Sequence, residues 1–212
     1  MKEGLILHIE FLIEEASAQA ALQSLLPKIL GEQITFDIRV YRGKPDLLKK
    51  LPDRLKGYKS WIPSDWRIVV LIDEDREDCQ DLKNKLEVIS KNVGFVTKTS
   101  ATQGEIFQVL NRIAIEELEA WFFGDIPAIC AAYPNVSGNL GSKANYRDPD
   151  AILGGTAEAL ERVLRQAGYH LGGLEKVKSA KEISLHMIPD QNNSKSFQSF
   201  RDGLKALIGH SN

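Results

Sequence analysis

Cysteine is nearly absent. The 212 residues hold two, Cys79 and Cys130, and no Cys-x-x-Cys pair. That excludes a disulfide framework and a thiolate zinc site. Histidine is equally sparse, with four scattered residues: His8, His170, His186 and His210. No apolar run approaches the ~20 residues needed to cross a bilayer, so no membrane contact is expected. The stretch from Leu5 to Ile13 is interrupted by His8 and Glu10 and precedes no small-residue cleavage site, so it does not read as a signal peptide. A cytoplasmic protein with reduced cysteines is the expectation. The formal net charge of −2 gives no global electrostatic footprint for nucleic acid. Neither a P-loop nor a dinucleotide fingerprint is present, so nucleotide binding by those routes is excluded.

What is present is an alternation of strand and helix patterns. LILHIEFLI (5–13) reads as a buried strand, ITFDIRVY (34–41) alternates, and RIVVLI (67–72) is the least ambiguous strand. Ser17 is placed as cap of a helix running to Gly31. The leucines from Leu47 to Leu55 suggest a short helix broken near Pro52, and YKSWIPSDW reads as an ordered loop. A helix is expected from Asp78 to Ile89, strands in GFVTKTS (94–100) and IFQVLNRIAI (106–115), and a helix in EELEAWFF stopped by Gly124. The fold class is therefore α/β, a mostly parallel central sheet flanked by helices. Residues 1–125 form the core. Residues 126–212 form a helical and loop extension on the same domain, with Asp148-Pro149 a helix start and helices over 156–167 and 196–208.

The chemistry-bearing feature is acidic. Six of the nine residues from Asp73 to Asp81 are carboxylates. A helix N-terminus explains Glu77, Asp78 and Asp81. It does not explain Asp73, which ends a buried apolar strand where an isolated carboxylate is costly. In a parallel sheet all strands end along one edge, where ligands bind. Glu14 and Glu15 end the first strand, Asp73 and Asp75 the third, and Glu116, Glu117 and Glu119 follow the last. Carboxylates gathered so repel unless a cation neutralises them, and hard oxygen donors suit Mg²⁺ or Mn²⁺.

An acid after the first strand and Asp-x-Asp after a hydrophobic strand resemble the Toprim domain of primases, type II topoisomerases, recombination proteins and OLD-type nucleases. More closely, FLIEEASAQAALQSLLPKIL, WRIVVLIDEDREDC, NRIAIEELEAWFFGD, KANYRDPDAI and NNSKSFQSFRDGL resemble the Toprim-like proteins of domain-of-unknown-function family 4276 over nearly the whole chain. The resemblance implies a Toprim-like fold and a metal-dependent phosphoryl-transfer site, most simply a nuclease. Glu14 would be the general acid/base, and Asp73 and Asp75 metal ligands. Toprim domains usually carry glycine after the glutamate, and this chain has Glu15, so both glutamates stand as candidates. The resemblance further implies an ATPase partner related to SMC and ABC proteins, a DNA or RNA substrate (tRNA included), and a role in anti-phage defence. A homo-oligomer is compatible with it.

Glu117 and Glu119 are further candidate ligands, with Glu116 and Glu119 expected on one helix face. Lys143, Arg147, Lys195 and Arg201 are candidate phosphate contacts, each weighed against ordinary surface charge. His8 is read as an interior residue rather than a ligand, and Trp61 and Trp66 as packing residues. The principal alternative function is a non-catalytic module that binds and regulates the ATPase. A receiver-like phosphoacceptor at Asp73 ranks third, for want of the separate acidic pair.

Overall fold

The computed structural model describes residues 7–209. Four strands, β1 (His8–Ile13), β2 (Thr35–Val40), β3 (Trp66–Asp73) and β4 (Val109–Ala114), form one sheet in the order β2-β1-β3-β4. All three pairings are parallel, so the described sheet is wholly rather than mostly parallel. Between the strands run α1 (Ala16–Leu30), α2 (Lys44–Trp61) and α3 (Cys79–Asn92). After β4 come α4 (Glu119–Phe123), α5 (Ile126–Ala132), α6 (Thr156–Gln166), α7 (Lys176–His186) and α8 (Lys195–Gly209).

The alternation within β3 explains the layering. Val69 and Leu71 face one side, and Ile68, Val70 and Ile72 the other. The second side is covered by Leu47, Leu51, Leu55 and Tyr58 of α2 and Leu82 and Leu86 of α3. The first side is covered by α1 and by C-terminal residues, among them Phe197, Phe200 and Leu204 of α8, in one continuous cluster. Both faces are buried, which is why these strands read as continuous apolar runs.

Several local expectations are corrected. GFVTKTS forms no strand; only Thr97 bridges to Val109, because the chain turns at Thr97–Ser100 through Ser100 Oγ and the Thr97 carbonyl. The α2 helix continues through Pro52 to Trp61, absorbing the first part of the expected loop. Its three buried leucines offset a proline cost of roughly 3 kcal/mol. Ser17 does not cap α1: Glu15 occupies the cap position, and the Ser17 hydroxyl donates to Glu15 Oε1 at 2.6 Å. The helices α5 and α7 lie in the extension, where short helices between loops are expected without bounds. Lys28 of α1 fastens the end of α7 by donating to the carbonyls of Ser184, Leu185 and Met187. No helix among the described residues is long and apolar enough to cross a membrane.

The motif stretches of the C-terminal half meet at one junction. Trp121 Nε1 donates to Ser196 Oγ, and Asn192 Nδ2 to the Trp121 carbonyl. Asp150 accepts from the backbone N–H groups of Lys195 and Ser196, capping α8. A Cβ on Gly124 would lie 2.1 Å from Asn192 Oδ1, so this close approach admits only glycine.

Candidate metal centre

The carboxyl edge of the sheet carries the acidic residues. Glu14 leaves β1, and its Oε1 accepts from the backbone N–H of Asp73 at 2.6 Å, tying the ends of β1 and β3 together. Both side chains are buried. Burial pushes Glu14 up to about 7, against the Asp73 N–H and Lys44, with Asp75 and Glu15 adding repulsion. Burial also raises Asp73 well above the carboxylate range, reinforced by the charges of Glu14 and Glu119.

Glu119 is fully buried in α4, and neither of its oxygens has a hydrogen-bond donor. Burial lifts it to about 7; the Lys176 ammonium, 3.9 Å away, pulls the other way. A buried carboxylate without donors is expensive in a folded protein. Its presence beside Asp73 is the observation that fits a hard cation here. Glu119, Asp73 and Oε2 of Glu14 offer oxygens, although these atoms do not all lie within 4.8 Å of one another.

Asp75 and Glu117 are placed differently. Asp75 is exposed, and its Oδ2 pairs with the buried Lys44 ammonium at 2.8 Å. Lys44 also donates to the Glu74 carbonyl and to Glu77. Burial opposes that ammonium, and Asp75 and Glu77 outweigh it and raise it. Glu117 receives the Ala157 N–H at 2.9 Å, the Thr156 hydroxyl and Lys176, so it anchors the start of α6. Glu116 precedes α4 rather than sharing its face with Glu119. Its backbone is left-handed (φ 59°), as is that of Asp75 (φ 54°). The two loops latch where Asp75 N–H donates to the Glu116 carbonyl and Glu116 N–H to Glu74 Oε2. Left-handed non-glycine residues cost about 1–3 kcal/mol each and gather at functional sites. A cleft of about 400 Å³ opens there, lined by Asp75, Arg76, Glu116, Glu117, Gly154, Gly155 and Glu158.

The candidate phosphate contacts are dispersed. Arg201 is held by the Pro189 carbonyl, Asp190 and Asp202. Arg147 lines a separate cavity with Asp125 and Asn193, and Lys143 is exposed between two 3-10 turns. Lys195 lines a cavity at the β4 edge. None of the four lines the acidic cleft.

Sequence reasoning passed over three features. Lys44 follows the end of β2, so the strand-end argument that found the carboxylates also reaches it. Lys176 lies 59 residues from Glu117, and no local pattern joins them. The third is His8, Glu10 and Asp37, whose ligand atoms all lie within 4.8 Å of one another. This group can hold a metal ion by geometry, and it is the one such group of three among the described residues. Arg39 already pairs with both Glu10 and Asp37, and Tyr58 donates to Glu10. His8 Nδ1 bonds Thr35, while its Nε2 has no hydrogen-bond partner. His8 is interior, in β1, as expected, but only half satisfied, with Nε2 3.8 Å from Glu10 Oε1 and no hydrogen bond.

These features define an α/β protein with an acidic centre at the carboxyl edge of a parallel sheet. The chain belongs to the family described as a domain of unknown function (DUF4276), whose model matches residues 13–205. No curated protein and no solved structure matches the chain.

Proposed function

We propose that this protein is a Mg²⁺- or Mn²⁺-dependent nuclease, the effector of an SMC/ABC-related ATPase in anti-phage defence. The observation that carries the reading is the buried group of Glu14, Asp73 and Glu119, whose carboxyls are all raised and of which Glu119 lacks any hydrogen-bond donor. Perturbed carboxylates converging at a ligand-binding sheet edge mark a site. The Toprim resemblance, which rests on Glu14, Asp73 and Asp75, agrees with it for the first two.

Asp73 and Glu119 would hold the ion, and Asp75 would join them on leaving Lys44, which leaves Glu14 Oε2 free to move a proton. A bound divalent ion supplies charge neutralisation at the phosphate. Glu14 titrates near neutrality, so its Oε2 can take up or give a proton at working pH. Lys44 sets the position of Asp75, and Lys176 sets that of Glu117 and the start of α6. The cleft is lined by four carboxylates and one arginine, so a free polyanion is repelled from it. The isolated chain therefore cleaves weakly, and the ATPase supplies recruitment and access.

The test is cleavage of DNA, RNA and tRNA with Mg²⁺ or Mn²⁺, with and without the triggered partner. Asp73→Asn and Glu14→Gln are expected to lose about 100-fold or more. Full activity in both variants overturns the nuclease reading in favour of a partner-binding module. His8→Ala tests the group of His8, Glu10 and Asp37, and it is expected to leave the metal response unchanged.

A further inference from the structure

β4 is an edge strand. Its first half is covered by the Thr97 bridge, and Lys98 N–H donates to the Val109 carbonyl. Beyond that, the edge borders a cavity of about 360 Å³ between α3 and α8. Three cationic side chains line it: Lys83 of α3, Arg112 of β4 and Lys195 of α8. Lys83 donates to Glu87 and to the Asn111 carbonyl. Arg112 donates through Nε to the Ser199 carbonyl and through Nη1 to that of Asn111. Glu87 is the acid paired with Lys83 and the one counter-charge that acts on Arg112. The starts of α3 and α8 are already held by the Asp78 and Asp150 carboxylates, so the cations in this cavity are its side chains.

The guanidinium is held in place by a close approach. A Cβ on Gly203 of α8 would lie 2.8 Å from Arg112 Nη2 and 3.0 Å from Nε. The absence of that atom lets Arg112 lie flat across the helix. Burial and the neighbouring Arg112 pull the Lys83 ammonium down despite Glu87, and Lys98 is lowered by burial and by the same arginine. An arriving anion relieves this repulsion.

The cavity and the acidic cleft flank the end of β4. Ile115 lines the cavity, and the next residue, Glu116, lines the cleft. We propose that Lys83, Arg112 and Lys195 seat a backbone phosphate of a nucleic-acid strand whose neighbouring phosphodiester faces the carboxylate centre. This rests on the nuclease reading for the identity of the strand. Lys195 offers an exposed ammonium, and Lys83 and Arg112, whose donors engage Glu87 and the Asn111 and Ser199 carbonyls, add positive charge that suits a phosphate. They also supply the attraction that the acidic cleft lacks.

Binding without cleavage separates the two readings. Fluorescent single-stranded DNA, duplex DNA and RNA of one sequence are titrated in EDTA at several salt concentrations. At least one is expected to bind. Lys195→Ala, whose side chain is exposed, and Arg112→Gln should each weaken binding about tenfold and lower the salt slope by about 1. Gly203→Ala should do the same by displacing Arg112, while Lys50→Ala leaves binding unchanged. Thermal melts confirm that each variant folds. If no strand binds, or if the three variants bind like the parent, the proposal falls. If they weaken binding while Asp73→Asn binds normally and the triggered parent never cleaves, the phosphate seat stands and the nuclease reading fails.

Discussion

Two buried helical glutamates, Glu87 and Glu119, sit on opposite faces of the same sheet and behave oppositely. Glu87 accepts from Lys83, from the Thr97 hydroxyl and from Asn111. Burial works to raise its carboxyl, and these three partners overcome it and hold it below the usual range. Glu119 has no side-chain hydrogen bond; Lys176 pairs with it at 3.9 Å and its own backbone N–H favours the charged form, yet burial lifts it to about 7. Glu119 is the more deeply buried of the two and has the weaker partners, so both burial and pairing separate them. An acid with three hydrogen-bond donors fastens helix to strand, whereas one with a single long ion pair is destabilising unless something else binds to it.

The comparison can be broken in four ways. Glu87→Ala should cost most, about 3 kcal/mol in urea unfolding, because it leaves Lys83, Thr97 and Asn111 without their acceptor. An unchanged midpoint would remove the structural role. Divalent ion at 100 times its dissociation constant should stabilise the parent by about 2.7 kcal/mol, and Asp73→Asn far less. Glu87→Ala should keep the full metal response despite its lower stability.

The pH dependence is a third test. Glu14 and Glu119 are raised in the folded state from 4.5 to about 7, so the folded protein holds their protons more tightly than the unfolded chain. Metal-free stability should therefore fall as pH rises from about 4.5 to 7, by roughly 1–2 kcal/mol after allowing for relaxation. Saturating Mg²⁺ should flatten that slope, and a rise in stability across the window would contradict it. The smallest effect belongs to Glu119→Gln. It should be neutral or stabilising by about 1 kcal/mol at pH 8 in metal-free buffer, because the charge without donors is gone. Glu87→Gln under the same conditions should be destabilising.

Much of this was legible in the chain. Strand ends place carboxylates, so Glu14, Asp73 and the acidic run before α4 could be assigned to one edge from a strand-and-helix pattern alone. The parallel sheet followed from apolar runs buried on both faces. Less legible were the features set by packing. Pro52 reads as a helix break because its local cost is known, while the compensating contacts of Leu51 and Leu55 are nonlocal. GFVTKTS has strand propensity, yet Thr97 and Ser100 close a turn there. Its residues meet Glu87 and Val109 instead of forming a ladder.

The sequence by itself determined the class of fold, the acidic edge and the family, because periodicity, strand ends and motif stretches are properties of neighbouring residues. Tertiary structure alone decided which acids are partnered. Lys44 turns Asp75, Lys176 and the start of α6 engage Glu117, and Glu119 is left without a donor. It also decided that Arg112 lies across Gly203 beside Lys83 and Lys195. These pairings join residues tens of positions apart. Their energies depend on burial and on distances of a few ångströms, which no local pattern encodes.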